Sequence, residues 1–235
     1  MTLKIGPHLL GRKVEHDPRS RNFPFPQRTV TRLVNVTHRT IAPILNQGDV
    51  GSCEGHTAAN WLNCDIAVKN RRRTSVRPFK SDRLLNDADA VKLYSKATEM
   101  DEDGTDTVYP PDDTGTSALG IARSMQFYNA IDSYQWTFSW QHFLAAIQSQ
   151  PVMLGTNWYE GMFYPDTRGH VEISGPLYGG HAYLARGVDH TRQRVLCRNQ
   201  WGSRWGIRGE FYLRFSTLQR LLNEQGDVLV PAVLK

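Results

Sequence analysis

The chain has 235 residues, 40% hydrophobic and 22% charged, with a formal net charge of +5, which suits one sizeable core or two small lobes and excludes a disordered or disulfide-stapled chain. Lys4, Pro7 and His8 break up the first ten residues, leaving no apolar stretch for a secretory signal, and nowhere do roughly 18 apolar residues run together as a membrane span requires. The three cysteines, Cys53, Cys64 and Cys197, cannot all pair, so free thiols in a reducing, cytoplasmic setting are expected, a pattern shared by phage- and virion-associated proteins.

Residues 1–40 are rich in Pro and Arg without a sustained period and read as an extended arm packed on the body, residues 41–235. Gln47-Gly48-Asp49-Val50-Gly51-Ser52 is a loop by its glycines. From Cys53 the residues Ala58, Ala59, Leu62 and Ile66 recur at helical spacing, with Glu54 in the first turn. This helix is predicted to end at the basic run Lys69, Arg71, Arg72, Arg73, Arg77 and Lys80, which reads as a solvated face. With the remaining positive charge dispersed, neither nucleic acid nor a membrane is expected as a partner.

Further helices are predicted over about 82–98 and 116–127, separated by the acidic loop 101–106, which lacks the EF-hand ligand order. A fourth helix from Ser139 leads into Pro151–Gly155, the first clear strand signal, and 181–188, 193–199 and 208–215 follow as strands. A short helix at 216–224 and a strand at 227–233 complete an α+β chain, helical over about 41–135 and sheet-rich over about 136–235.

Cys53 falls at the start of its helix, where unpaired N–H groups and the helix dipole favour a thiolate. Gly48 and Gly51 let the preceding backbone turn tightly enough to aim an N–H at a developing oxyanion. A thiolate nucleophile needs a His whose second ring nitrogen is fixed. His181 heads a strand-type run in Gly180-His181-Ala182, and Asn199 ends the next, followed by Trp201 and Trp205 as a shield for an Asn–His bond. Cys64 and Cys197 read as small buried hydrophobes, and the other histidines receive no role. His56 stands in a Cys-x-x-His pair with no second pair beside it, so no metal site is expected, and no cofactor.

The blocks Gln47-Gly48-x-x-Gly51-Ser52-Cys53, Gly180-His181-Ala182 and Asn199-x-Trp201-Gly202-x-x-Trp205-Gly206 resemble the active-site blocks of the papain-like cysteine peptidases. His181 and Asn199 lie 128 and 146 residues beyond Cys53, against about 130–150 in that family. The resemblance implies a two-lobed fold, a helical lobe and an antiparallel β-barrel-like lobe with the cleft between. It also implies hydrolysis of a polypeptide through a thioester, by a monomer without cofactor or metal. Cys53 would be the nucleophile, His181 the base, Asn199 its orienter, and Gln47 with the Cys53 N–H the oxyanion donors. Gly180 and Ala182, with Trp158 and Gly115, would line the substrate site, and Gly180 suggests an apolar guest.

Val50 and Glu54 depart from the family's Cys-Gly-Ser-Cys-aromatic block, and Gln200 stands where Ser usually follows the Asn. The missing disulfide is closer to the shorter microbial members. Glu54 is expected either to raise the Cys53 pKa or to read a basic substrate residue. The same triad suits transpeptidation, deamidation or removal of a protein modifier, and a catalytically silent binding protein would keep the fold alone.

Overall fold

The computed structural model describes residues 8–13, 21–25, 33–71, 83–101, 107–137 and 139–232. Most of the acidic loop and of the basic run lies outside these residues. None of the described helices is long and apolar enough to cross a membrane.

In chain order the elements are β1 Val36–Thr37, α1 Cys53–Leu62, α2 Asp65–Arg71, α3 Asp87–Met100, α4 Ala118–Phe127, β2 Ser133–Thr137, α5 Trp140–Ser149 and β3 Val152–Tyr159. They continue with a 3-10 turn Glu160–Phe163, β4 Leu177–Asp189, β5 Arg194–Arg198, β6 Glu210–Arg214, α6 Phe215–Asn223 and β7 Asp227–Ala232. The predicted helices and strands are present, with shifts that have local causes. The first helix stops at Asn63, whose side chain donates to the Leu85 carbonyl and accepts the Leu85 N–H, both at 2.9 Å, before α2 begins. The helix predicted from 82 starts at Asp87 because Asn86 and Asp89 form a reciprocal capping box there. Ser117 and Ser139 cap α4 and α5 through their hydroxyls. The strand β2 was absent from the sequence reading. Its five residues bury Tyr134 and Trp136 on one face, a period too short to stand out against the neighbouring helices.

The antiparallel strands run β2-β7-β3-β4-β5-β6, with β1 on β4. The sheet does not close, so the expected barrel-like half is an open sheet. Its pleat separates two cores. Val152, Leu154, Tyr183, Val228 and Val230 face α5, α6 and an aromatic cluster. Met153, Leu184 and Leu229 face the opposite way, onto the core built by α1, α3 and α4. All ten residues of α1 are buried. Gly55 lets α3 approach it: a Cβ there would stand 2.3 Å from the Ala90 carbonyl oxygen and 2.8 Å from the Tyr94 Cβ. Gly55→Ala is therefore expected to destabilise the fold by about 1–3 kcal/mol, read as a lower midpoint in urea unfolding. An unchanged midpoint would show that α1 and α3 separate freely.

Candidate active site

The N-terminus of α1 abuts β4, and this contact builds the site. The backbone N–H groups of Ala182, Gly11 and Glu54 lie within electrostatic reach of the Cys53 sulfur and favour its thiolate form. His181 sits inside β4, paired with Thr156 of β3. Its Nε2 lies 2.9 Å from Asn199 Oδ1, which also accepts the Gln200 N–H at 2.9 Å. Because Oδ1 is an acceptor in both contacts, the proton is on Nε2 and the lone pair on Nδ1. Nδ1 is buried and has no hydrogen-bond partner among the described residues.

Trp201 stacks on the imidazole at 4.5 Å, as expected of a shield. The second cover is Trp158, edge-on at 4.8 Å, while Trp205 packs on Trp201 instead. Trp158 is thus placed behind His181, fully buried.

Gln47 is fixed at both ends. Its Oε1 accepts the Trp201 indole N–H at 3.2 Å, which turns Nε2 toward the Val50 carbonyl at 2.9 Å. The Gln47 N–H also donates to the Gln200 carbonyl at 2.9 Å, tying the loop before Cys53 to the loop after Asn199. Two residues without a role in the sequence reading hold this frame. Gln200 donates from Nε2 to the Ala182 carbonyl at 2.7 Å. The buried Arg198 donates to Asn60 of α1 at 3.0 Å and to the carbonyls of Ala42 and Pro43 at 2.7 and 2.6 Å. Gln200 lies inside the Asn199–Gly206 block only as a departure from it and Arg198 just before that block, so only long-range geometry reveals what they hold.

Opposite β4, Gly115 has φ +78 and donates its N–H to the Tyr94 hydroxyl oxygen at 3.0 Å. Tyr94 in turn donates to Asp113, which accepts the Gly51 N–H at 2.8 Å. Gly115 and Gly180 therefore form facing walls. Residues 8–13 run between them. The Arg12 N–H donates to the Gly180 carbonyl at 3.1 Å, the Lys13 N–H to the Thr116 carbonyl at 3.1 Å, and the Thr116 N–H to the Gly11 carbonyl at 2.9 Å. The Leu9 carbonyl accepts from Gln47 Nε2 at 3.2 Å, and His8 stacks on Trp201 at 4.4 Å.

With this segment in place Cys53 and His181 are both 0% exposed. Burial, with Glu54 adding to it, pushes the Cys53 thiol up to about 12. Burial pushes His181 down to about 3 against the pull of Asn199. Covered in this way, Cys53 is a neutral thiol and His181 a neutral imidazole. Glu54 is itself held well above the usual carboxylate range by burial and by Asp227. His56 has a structural setting, between Ser52 at 3.1 Å and Asp87 at 3.5 Å. No cluster of three metal-ligating side chains occurs among the described residues.

No protein-family model and no curated protein matches the chain. Among solved structures it resembles xylellain, a cysteine protease from Xylella fastidiosa, with a TM-score of 0.71 and 15% identity over 98% of each chain. It also resembles digestive procathepsin L 3 of Tenebrio molitor larval midgut, with a TM-score of 0.57 and 14% identity over 90% of this chain and 74% of that one. The fold is thus the papain-like two-lobed fold.

Proposed function

We propose that the chain is a cysteine peptidase whose site is closed by its own residues 8–13. One observation carries this reading: a peptide segment of the chain already lies across the site, with the Leu9 carbonyl oxygen on Gln47 Nε2 and the Gly11 N–H within electrostatic reach of the Cys53 sulfur. Uncovered, Cys53 would regain water and the stabilisation of its helix N-terminus, and His181 Nδ1 is the lone pair available to take its proton. The thiolate would attack a peptide carbonyl, and Gln47 Nε2 with the Cys53 N–H would hold the oxyanion. His181 would then pass its proton to the leaving amine and later activate water for the thioester.

The covering segment is a stop and not a substrate. Attack requires that the oxygen on Gln47 and the carbon facing the sulfur belong to one carbonyl. Here the oxygen is that of Leu9, while the N–H within reach of the sulfur is that of Gly11. Direction gives the same answer. The amine leaves at the His181–Trp201 end, so a productive peptide runs from its amino-terminal part near Gly180 toward Trp201. Residues 8–13 run the other way, from His8 on Trp201 to Arg12 beside Gly180.

Incubating the full chain carrying Gly11→Ala with a peptide library should yield new amino termini, identified by mass spectrometry, and adding Cys53→Ala should remove them. Cleavage that persists in the Cys53→Ala chain, or acyl products appearing only as amides of an added amine, would contradict hydrolysis by this thiol.

A further inference from the structure

Arg12 reaches from the covering segment into a pocket at the acyl end of the cleft, and its side chain is 0% exposed. Nη2 donates to Asp227 Oδ2 and to the Gln225 carbonyl, both at 2.7 Å. The pocket has three built features. Gly155 leaves the room: a Cβ there would lie 2.4 Å from Arg12 Nε and 2.6 Å from Asp227 Oδ1, and its partner across the β3–β4 ladder is the equally small Ala182. Gln225 takes the left-handed φ of 69, unusual for a side-chain-bearing residue, and aims its carbonyl at the guanidinium. Glu54, fully buried, sits within electrostatic reach of both Arg12 and Asp227. Asp227 Oδ1 and Glu54 Oε1 have no hydrogen-bond partner among the described residues, so acceptor capacity remains beyond what Arg12 uses.

We infer that this pocket selects a basic side chain in the polypeptide substrate, with Asp227 as the specificity-determining residue and Arg12 as an internal occupant. The inference rests on the peptidase reading for its location: Arg12 follows the residue at the sulfur, so the selected side chain belongs to the residue one removed from the attacked carbonyl, on the amino-terminal side of the cleaved bond. An apolar guest, expected from Gly180 alone, would leave the Asp227 carboxylate buried without a partner, which disfavours binding. A basic side chain supplies the charge and the donor that Asp227 needs: in the structure Arg12 does so through Nη2 alone, which donates to Asp227 Oδ2 and the Gln225 carbonyl while Nε and Nη1 stay without hydrogen-bond partners among the described residues.

The test uses the full chain carrying Gly11→Ala and three blocked dipeptide coumarin amides that end in Gly and differ only in the preceding residue: Arg, Lys or Leu. The ratio of kcat/KM between two substrates is independent of how often the covering segment leaves, because both compete with it equally. Arg is expected to exceed Leu by about a hundredfold, the scale of truncating one partner of a buried charged pair. Adding Asp227→Ala should collapse that ratio to within a few-fold, with Asp227→Asn between the two. A preference for Leu, or an Arg preference that survives Asp227→Ala, would overturn the assignment. If none of the three is cleaved, fluorescence anisotropy of labelled Arg-Gly and Leu-Gly dipeptides on the Gly11→Ala, Cys53→Ala chain decides separately. Arg-selective binding lost in Asp227→Ala supports the pocket while the peptidase reading falls, and equal binding overturns the pocket as well.

Discussion

Gly11→Ala is expected to raise the rate at which iodoacetamide alkylates Cys53 at pH 7.5 by about a hundredfold. A Cβ on residue 11 would stand 1.6 Å from the Gly51 carbonyl oxygen and 2.3 Å from its carbon. Both atoms belong to the backbone of the loop that Asp113 anchors, so the collision is relieved by lifting the segment and not by a rotamer change. Once lifted, the thiol loses the burial that pushes it up to about 12. A return toward the free value of about 8.5 multiplies the thiolate fraction at pH 7.5 by roughly three thousand. The lower nucleophilicity of a less basic thiolate, with a Brønsted slope of about 0.4–0.5, takes back more than an order of magnitude and leaves roughly a hundredfold. The midpoint of the rate–pH profile should move down in step. Residue 11 belongs to neither hydrophobic core, so far-UV circular dichroism should be unchanged. An unaltered rate and midpoint would show that residues 8–13 do not govern access to the sulfur.

His181→Ala, placed in the Gly11→Ala chain, is expected to lower peptide hydrolysis on the order of a thousandfold, the range of a positioned acid–base group. Asn199→Ala should cost less and leave a pH profile altered in shape, because Asn199 acts through the ring by holding its proton on Nε2 at 2.9 Å. Both losses should fall on kcat more than on KM, since neither side chain has a wall or pocket role. A His181→Ala enzyme retaining a tenth of its turnover would place the general acid elsewhere.

The four polar residues of the candidate site could be proposed from the sequence because each type is demanded by the chemistry and each stands beside small or aromatic neighbours that form a block. Gly115, Gly180 and Ala182 were legible through the same resemblance, and the structure sets all three against residues 8–13 or the pocket of Arg12. What covers them was not legible. Residues 8–13 have no period and no motif, and the arm reading said only that the segment packs on the body. Arg12 gains its meaning from Asp227, 215 positions away, and such a pairing leaves no local trace in a strand that reads as ordinary β7. Glu54 looked like a helix-terminus residue with a possible effect on the thiol. In the structure it adds to the rise of Cys53 and lies within electrostatic reach of Arg12, a residue of the chain itself. The open sheet had the same kind of cause: the unbroken apolar run Val152, Met153 and Leu154 announces a strand, but not that its two faces serve two different cores.

The most direct test of the central claim is mass spectrometry of the Gly11→Ala chain after brief exposure to a peptidyl chloromethylketone with Arg in the residue before the reactive one, with and without His181→Ala. The account predicts a single adduct, on Cys53, with Cys64 and Cys197 unmodified and the adduct slowed by orders of magnitude when His181 is replaced. Equal labelling of the three cysteines, or a Cys53 adduct that forms as fast without His181, would contradict it.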